Sequence, residues 1–195
     1  LKTFDLGAER KTIAVLGGSL GAREVNKAVL SIIREIVDSG YQVIWQCGKL
    51  YFQQYKDSLE ELYASHSEYR QYIHLCAFVE NMNDLYSSAN VIISRSGAST
   101  VSELCVIGKP CILIPSPNVA EDHQTKNALA LVNKNAALYV KDADAKNALI
   151  AKAIETVNHP ELLKNLSTNI SKLAFTDSAN VIAKEVIKLA EQYKK

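Results

Sequence analysis

Two alternating periods limit what this chain can fold into. Short apolar runs recur: TIAVL at 12–16, YQVIWQ at 41–46, YIHLC at 72–76, VIIS at 91–94, PCILI at 110–114 and a last run over 137–140. Between them lie segments whose apolar residues repeat at helical spacing. In 22–38 these are Val25, Ala28, Val29, Ile32, Ile33, Ile36 and Val37, and Gly40 supplies the stop. Further helices are expected at about 52–65, at 83–89 with Asn81 or Asn83 as cap, from the SRSGAST stretch to Gly108, and at 121–134. Beyond residue 140 the pattern is helical to the end, at about 143–157, 160–174 and 178–193. His159-Pro160 and Thr176-Asp177-Ser178 punctuate these segments.

Short apolar strands separated by amphipathic helices imply a parallel sheet covered on both faces. The expected fold class is therefore α/β: a doubly wound, Rossmann-like sheet of six parallel strands in the order 3-2-1-4-5-6, followed by C-terminal helices. Residues 1–11, LKTFDLGAERK, are polar and irregular and read as a linker from something upstream. Residues 12–195 read as one domain.

Composition narrows the class of function. The formal net charge is +1 with no acidic or basic block, so nothing points to nucleic acid. Cys47, Cys76, Cys105 and Cys111 form no CxxC pair. They sit in or beside apolar runs, as buried reduced thiols of a cytoplasmic protein do, and no zinc site is expected. No run of 18 apolar residues and no signal peptide is visible.

In a doubly wound sheet the ligand sits beyond the carboxyl ends of the strands, where the strand order reverses. That point lies between strands 1 and 4, which lead into GGSLGAR (17–23) and SRSGAST (94–100). Both loops open helices, whose free N–H groups suit an anion. Neither loop is GxGxxG or a Walker A sequence, and strand 2 ends on Trp45-Gln46-Cys47-Gly48 without the acid a nicotinamide dinucleotide requires.

SRSGASTVSE admits two readings. Thr100-Val101-Ser102-Glu103 fits a capping box, in which Glu103 bends back to its own backbone. Alternatively the N–H groups of Ala98, Ser99 and Thr100 face a phosphate, and Glu103 accepts from a ribose diol. Arg95 suits either a phosphate or a structural ion pair. After strand 5, IPSPNVAEDHQTKNA places Glu121, Asp122, His123, Gln124 and Asn127 at a helix start. They suit sugar hydroxyls or form an ordinary acidic first turn. Adjacent Asp122 and His123 do not face one another, which argues against a shared metal.

GGSLGAR, SRSGASTVSE, GKPCILIP and EDHQTKNA, in this order, resemble the C-terminal half of the MurG family of bacterial N-acetylglucosaminyltransferases, from about Lys11 to Gln192. The resemblance implies one half of a GT-B fold that binds UDP-N-acetylglucosamine. The lipid I acceptor, the general base and most of the peripheral membrane contact, at the cytoplasmic face of the inner membrane, would belong to an N-terminal domain outside these residues. It assigns Ser19 to the diphosphate, the backbone of Val79 to the uracil edge, and Ala98, Ser99 and Thr100 to the diphosphate. Glu103 goes to the ribose, and Gln124 with His123 to the N-acetylglucosamine hydroxyls. Val101 and Ser102 fall in the same binding stretch, and Asn127 stands behind it. No cofactor or metal is implied, and no catalytic residue lies in this chain. Two other readings share these features: a separate UDP-N-acetylglucosamine-binding subunit that works with a membrane partner, and half of a UDP-N-acetylglucosamine 2-epimerase.

Overall fold

A computed structural model describes residues 1–18 and 20–193. Ser19, assigned above to the diphosphate, lies outside the described residues. The strands are β1 (Lys11–Leu16), β2 (Tyr41–Gln46), β3 (Ile73–Cys76), β4 (Val91–Ser94), β5 (Cys111–Leu113) and β6 (Leu138–Tyr139). They form one sheet in the order β3-β2-β1-β4-β5-β6, the order expected from the alternation, and every pair is parallel. The helices are α1 (Arg23–Asp38), α2 (Phe52–Ser65), α3 (Met82–Ser88), α4 (Ala98–Ile107), α5 (His123–Val132), α6 (Ala145–Asn158), α7 (Pro160–Ser171) and α8 (Ser178–Gln192).

Strand side chains alternate between the two faces, so each face builds its own core. Ile13, Val15, Val43, Trp45 and Ile93 point to the face covered by α1, α2 and α6. Ala14, Leu16, Ile44, Ile92 and Leu113 point to the face covered by α3, α4, α5 and α7. The segment before β1 packs mainly on the second face, where Phe4 and Leu6 are buried and Gln42 donates to the carbonyls of Gly7 and Arg10, while the Arg10 side chain reaches the first face at Val37 and Tyr72. Helix α8 carries no buried residue.

The register sets up the site. Leu16 pairs with both Gln46 and Ser94, Gln46 with Cys76, and Ser94 with Leu113. The strands therefore end in one row, and the loops that follow them emerge along a single edge. Backbone packing tightens two of these loops. Gly21 (φ 86) and Gly48 (φ 89) approach so closely that a Cβ on either would collide with the other loop's backbone.

Several boundaries shift by one to three residues from expectation, and three of the shifts have a local cause. Tyr72 closes a 3₁₀ segment, Ser67–Tyr72, and β3 begins one residue later. Strand β5 begins after Pro110, which has no N–H to give to the ladder. The helix expected from Glu121 begins at His123, because Glu121 (φ 54) and Asp122 (φ 50) are left-handed and break it. Asn81, of the two candidates, caps α3, accepting from the N–H groups of Asn83 and Asp84.

Candidate functional site

At the switch point a cavity of about 240 Å³ opens between the ends of β1, β2 and β4 and the starts of α3 and α4. Phe78, Val79 and Met82 give it an apolar wall, and Thr100 and Glu103 of α4 face it from the other side. Phe78 is 54% exposed, an aromatic face available for stacking against a flat ring. Val79 buries its side chain, and among the described residues its N–H and C=O have no hydrogen-bond partner. That leaves its backbone free to read the edge of a heterocycle.

Helix α4 starts at Ala98 with Gly97 as its N-cap, and no side chain caps it. Val101 N–H closes the first turn on the Gly97 carbonyl. The N–H groups of Ala98, Ser99 and Thr100 have no partner among the described residues, and no acid occupies the first turn. This is the bare positive end of a helix, suited to an anion. The capping box is thus not formed. Thr100 sits inside the helix, and Glu103 Oε2 accepts from the Tyr86 hydroxyl at 2.9 Å rather than from its own backbone. Val101 instead packs against the core, and Ser102 faces solvent; neither lines the cavity.

Two buried side chains that the motifs do not flag complete the site. Gln46 Oε1 accepts from Gly18 N–H at 3.0 Å. Its Nε2 donates to the carbonyls of Gly18 at 2.8 Å and Ala77 at 3.0 Å. One amide thereby ties the loop after β1 to the loop after β3. Tyr86 reaches into the cavity from α3, and burial, with help from the Glu103 hydrogen bond, pushes its phenol upward, so it stays a neutral donor. The strand-end position of Gln46 places it near the site but does not give its partners, and Tyr86 looks like core.

Arg95 takes the structural role of its two alternatives. It pairs with Asp142 and donates to the carbonyls of Ile114 and Pro115, pinning the loop after β5. On its far side lies a more polar cavity of about 480 Å³, lined in part by Gly21, Arg23, Ser116, Asn118 and Gln124. Gln124 Oε1 accepts from Ser116 N–H, which leaves its amide nitrogen available. Asn127 donates to the Ser96 carbonyl, and Ser96 Oγ donates to that of Gln124, lacing α5 to the β4–α4 loop. His123 stays at the rim, exposed, with Nδ1 against the Ala120 carbonyl. Of the expected binding residues, Val79, Thr100 and Glu103 line the first cavity and Gln124 the second, Arg95 borders both, and Ala98, Ser99 and His123 line neither. Among the described residues no group of three His, Cys, Asp or Glu side chains is placed to hold a metal.

The thiols are spectators. Cys47, Cys105 and Cys111 are buried; Cys76 is only half-buried, because β3 is an edge strand. Burial pushes Cys47 up to about 11, and Cys76 and Cys111 up to about 12.

A family model, the glycosyltransferase family 28 C-terminal domain, matches residues 12–186. The chain belongs to this family. A relative from Phocaeicola vulgatus, named UDP-N-acetylglucosamine--N-acetylmuramyl-(pentapeptide) pyrophosphoryl-undecaprenol N-acetylglucosamine transferase, is 55% identical over 195 residues, covering 100% of this chain and 50% of that protein. The chain thus spans about half the length of the curated relatives it matches. The crystal structure of Acinetobacter baumannii MurG superposes with a TM-score of 0.78 over 93% of this chain and 51% of that one, at 24% identity. UDP-GlcNAc 2-epimerase from Neisseria meningitidis, bound to UDP-GlcNAc, gives 0.63 over 96% and 47%, at 15% identity. Both likenesses are of fold, and the fold serves a transferase and an epimerase alike. The family 28 domain has the Rossmann-like sheet of one half of a GT-B glycosyltransferase.

Proposed function

We propose that this chain is the donor-binding half of an inverting N-acetylglucosaminyltransferase. The full enzyme would move N-acetylglucosamine from UDP-N-acetylglucosamine to undecaprenyl-pyrophosphoryl-MurNAc-pentapeptide, converting lipid I to lipid II in peptidoglycan synthesis. The observation that carries the reading is the uncapped start of α4, with Glu103 one turn in and an apolar cavity beside it. Residues 12–195 make the donor domain, and residues 1–11, read from the sequence as a linker, pack onto it: Phe4 and Leu6 are buried on its second face and Lys11 opens β1. No helix of the described residues is long and apolar enough to cross a membrane. Attachment at the cytoplasmic face of the inner membrane would be peripheral.

In this reading uracil lies against Phe78 with its edge on the Val79 backbone, and the ribose diol meets Glu103. The diphosphate rests on the N–H groups of Ala98, Ser99 and Thr100. The sugar extends past Arg95 toward Gln124. The acceptor 4-hydroxyl attacks the anomeric carbon from the opposite half, its proton passes to a base there, and the bond to UDP breaks. Negative charge grows on the diphosphate as it leaves. Fixed N–H dipoles at α4 stabilise that charge without reorganising, and one such donor is typically worth about 10²–10³ in rate.

The 55% identity to the P. vulgatus transferase, against 15% to the epimerase, favours transfer over epimerisation. The test is a product assay on the intact protein with UDP-N-acetylglucosamine, with and without a lipid I analogue. Transfer of the sugar to the analogue is expected. Formation of the 2-epimer without acceptor, and no transfer with it, would overturn the reading.

A further inference from the structure

A glutamate that grips two neighbouring hydroxyls must hold both carboxylate oxygens in one plane toward them. Glu103 is exposed, and a free Glu side chain loses rotamer entropy when it is fixed, which erodes the gain from the diol. In this structure the fixing is done beforehand. Tyr86 lies on α3, 17 residues earlier, and is only 5% exposed, with its ring held among the core residues of the second face. Its hydroxyl meets Glu103 Oε2 at 2.9 Å and has no other partner among the described residues. Both side chains line the same cavity.

An ionised carboxylate offers about four lone-pair sites, and Tyr86 takes one. Oε1 has no partner among the described residues, and Oε2 keeps a second site. Resting on the nucleoside-diphosphate reading above, we propose that Tyr86 is a positioning residue that locks the Glu103 carboxylate and so sets the preference of this site for ribose over deoxyribose nucleotides. Tyr86 touches no ligand in this account. It acts through Glu103, and the gain comes from preorganisation rather than a new contact.

The experiment is calorimetric titration of the chain with UDP and with 2′-deoxy-UDP, for the unmodified protein and for Tyr86→Phe, with melting temperatures alongside. The unmodified chain should prefer UDP by about tenfold or more, the usual worth of a hydrogen bond to a charged group. Tyr86→Phe removes one oxygen and keeps the ring. It should weaken UDP by about tenfold and 2′-deoxy-UDP much less, so that the preference collapses toward unity while the melting temperature stays close to that of the parent. In a Glu103→Gln background the same change should cost UDP less than about twofold, since residues in one chain of action are non-additive.

An unchanged UDP to deoxy-UDP ratio in Tyr86→Phe would overturn the proposal. So would a full further loss in the Glu103→Gln background, or a Tyr86→Phe chain that fails to fold, since either makes the phenol a structural anchor. A parent chain that binds UDP but shows no ribose preference would instead remove the role given to Glu103, and the proposal with it. A parent chain that binds neither nucleotide would remove the nucleotide site itself.

Discussion

Gln46 holds both backbone groups of Gly18, its side-chain oxygen accepting from the N–H and its nitrogen donating to the carbonyl, and its remaining donor goes to the Ala77 carbonyl. The loops after β1 and β3, proposed to receive the phosphates and the base, are thereby tied together by one buried amide at the end of β2. Gln46→Ala empties that joint and strands three backbone groups. A stability loss of about 2–4 kcal/mol in denaturant titration is expected, with UDP bound at least tenfold more weakly. A variant as stable as the parent would show that the loops hold themselves.

Gly97 offers a test in which stability and binding move in opposite directions. It occupies an extended conformation (φ −62, ψ 149) at the N-cap of α4, and a Cβ there meets nothing within 4 Å. Gly97→Asp adds the cap that the helix lacks and should raise stability by a few tenths to about 1 kcal/mol. The same carboxylate occupies the free N–H groups and repels phosphate, so UDP affinity should fall more than tenfold. A stabilised variant with unchanged UDP affinity would move the diphosphate away from α4.

If the second cavity holds the sugar, as proposed, sugar and nucleotide binding can be separated by mutation. Gln124→Ala should weaken UDP-N-acetylglucosamine several-fold while leaving UDP nearly unchanged, because Gln124 lines only the far cavity. Equal losses for the two ligands in parallel titrations would mean that the lost Ser116 contact had disturbed the whole edge.

The thiols predict a pH dependence. In the unfolded chain they ionise near pH 9; in the fold burial delays Cys47 to about 11 and Cys76 and Cys111 to about 12. Above pH 9 the unfolded state sheds protons that the folded state keeps. The stability held below pH 9 should therefore drain away as pH rises from 9 toward 12. Denaturant midpoints measured from pH 7 to pH 10 should fall in the upper part of that range, and folded chain at pH 8 should resist iodoacetamide. Rapid alkylation at pH 8 would contradict the burial account.

The sheet was legible because its signal is local. A run such as TIAVL fixes a buried strand by length and β-branching alone, and the alternation with helices leaves few topologies. That the loops after β1 and β4 emerge side by side followed from that topology. Choices among equally acceptable local partners were not legible. Thr100 and Glu103 satisfy a capping pattern, yet Gly97 takes the cap, because the chain is already extended there as it leaves β4. Glu121 looks helical, but the ties from Gln124 to Ser116 and from Asn127 to Ser96 fix α5 two residues later. Tyr86 and Gln46 act on partners 17 to 31 residues away, and no spacing rule reaches that far.

In the proposed function the uncapped end of α4 receives the diphosphate of a UDP-sugar. Calorimetry of the chain with UDP-N-acetylglucosamine, UDP, UMP and uridine is the decisive measurement. Affinity should climb steeply from uridine to UMP to UDP as each phosphate reaches the free N–H groups. No binding of UDP or UDP-N-acetylglucosamine at millimolar concentration, or equal affinity for uridine and UDP, would contradict it.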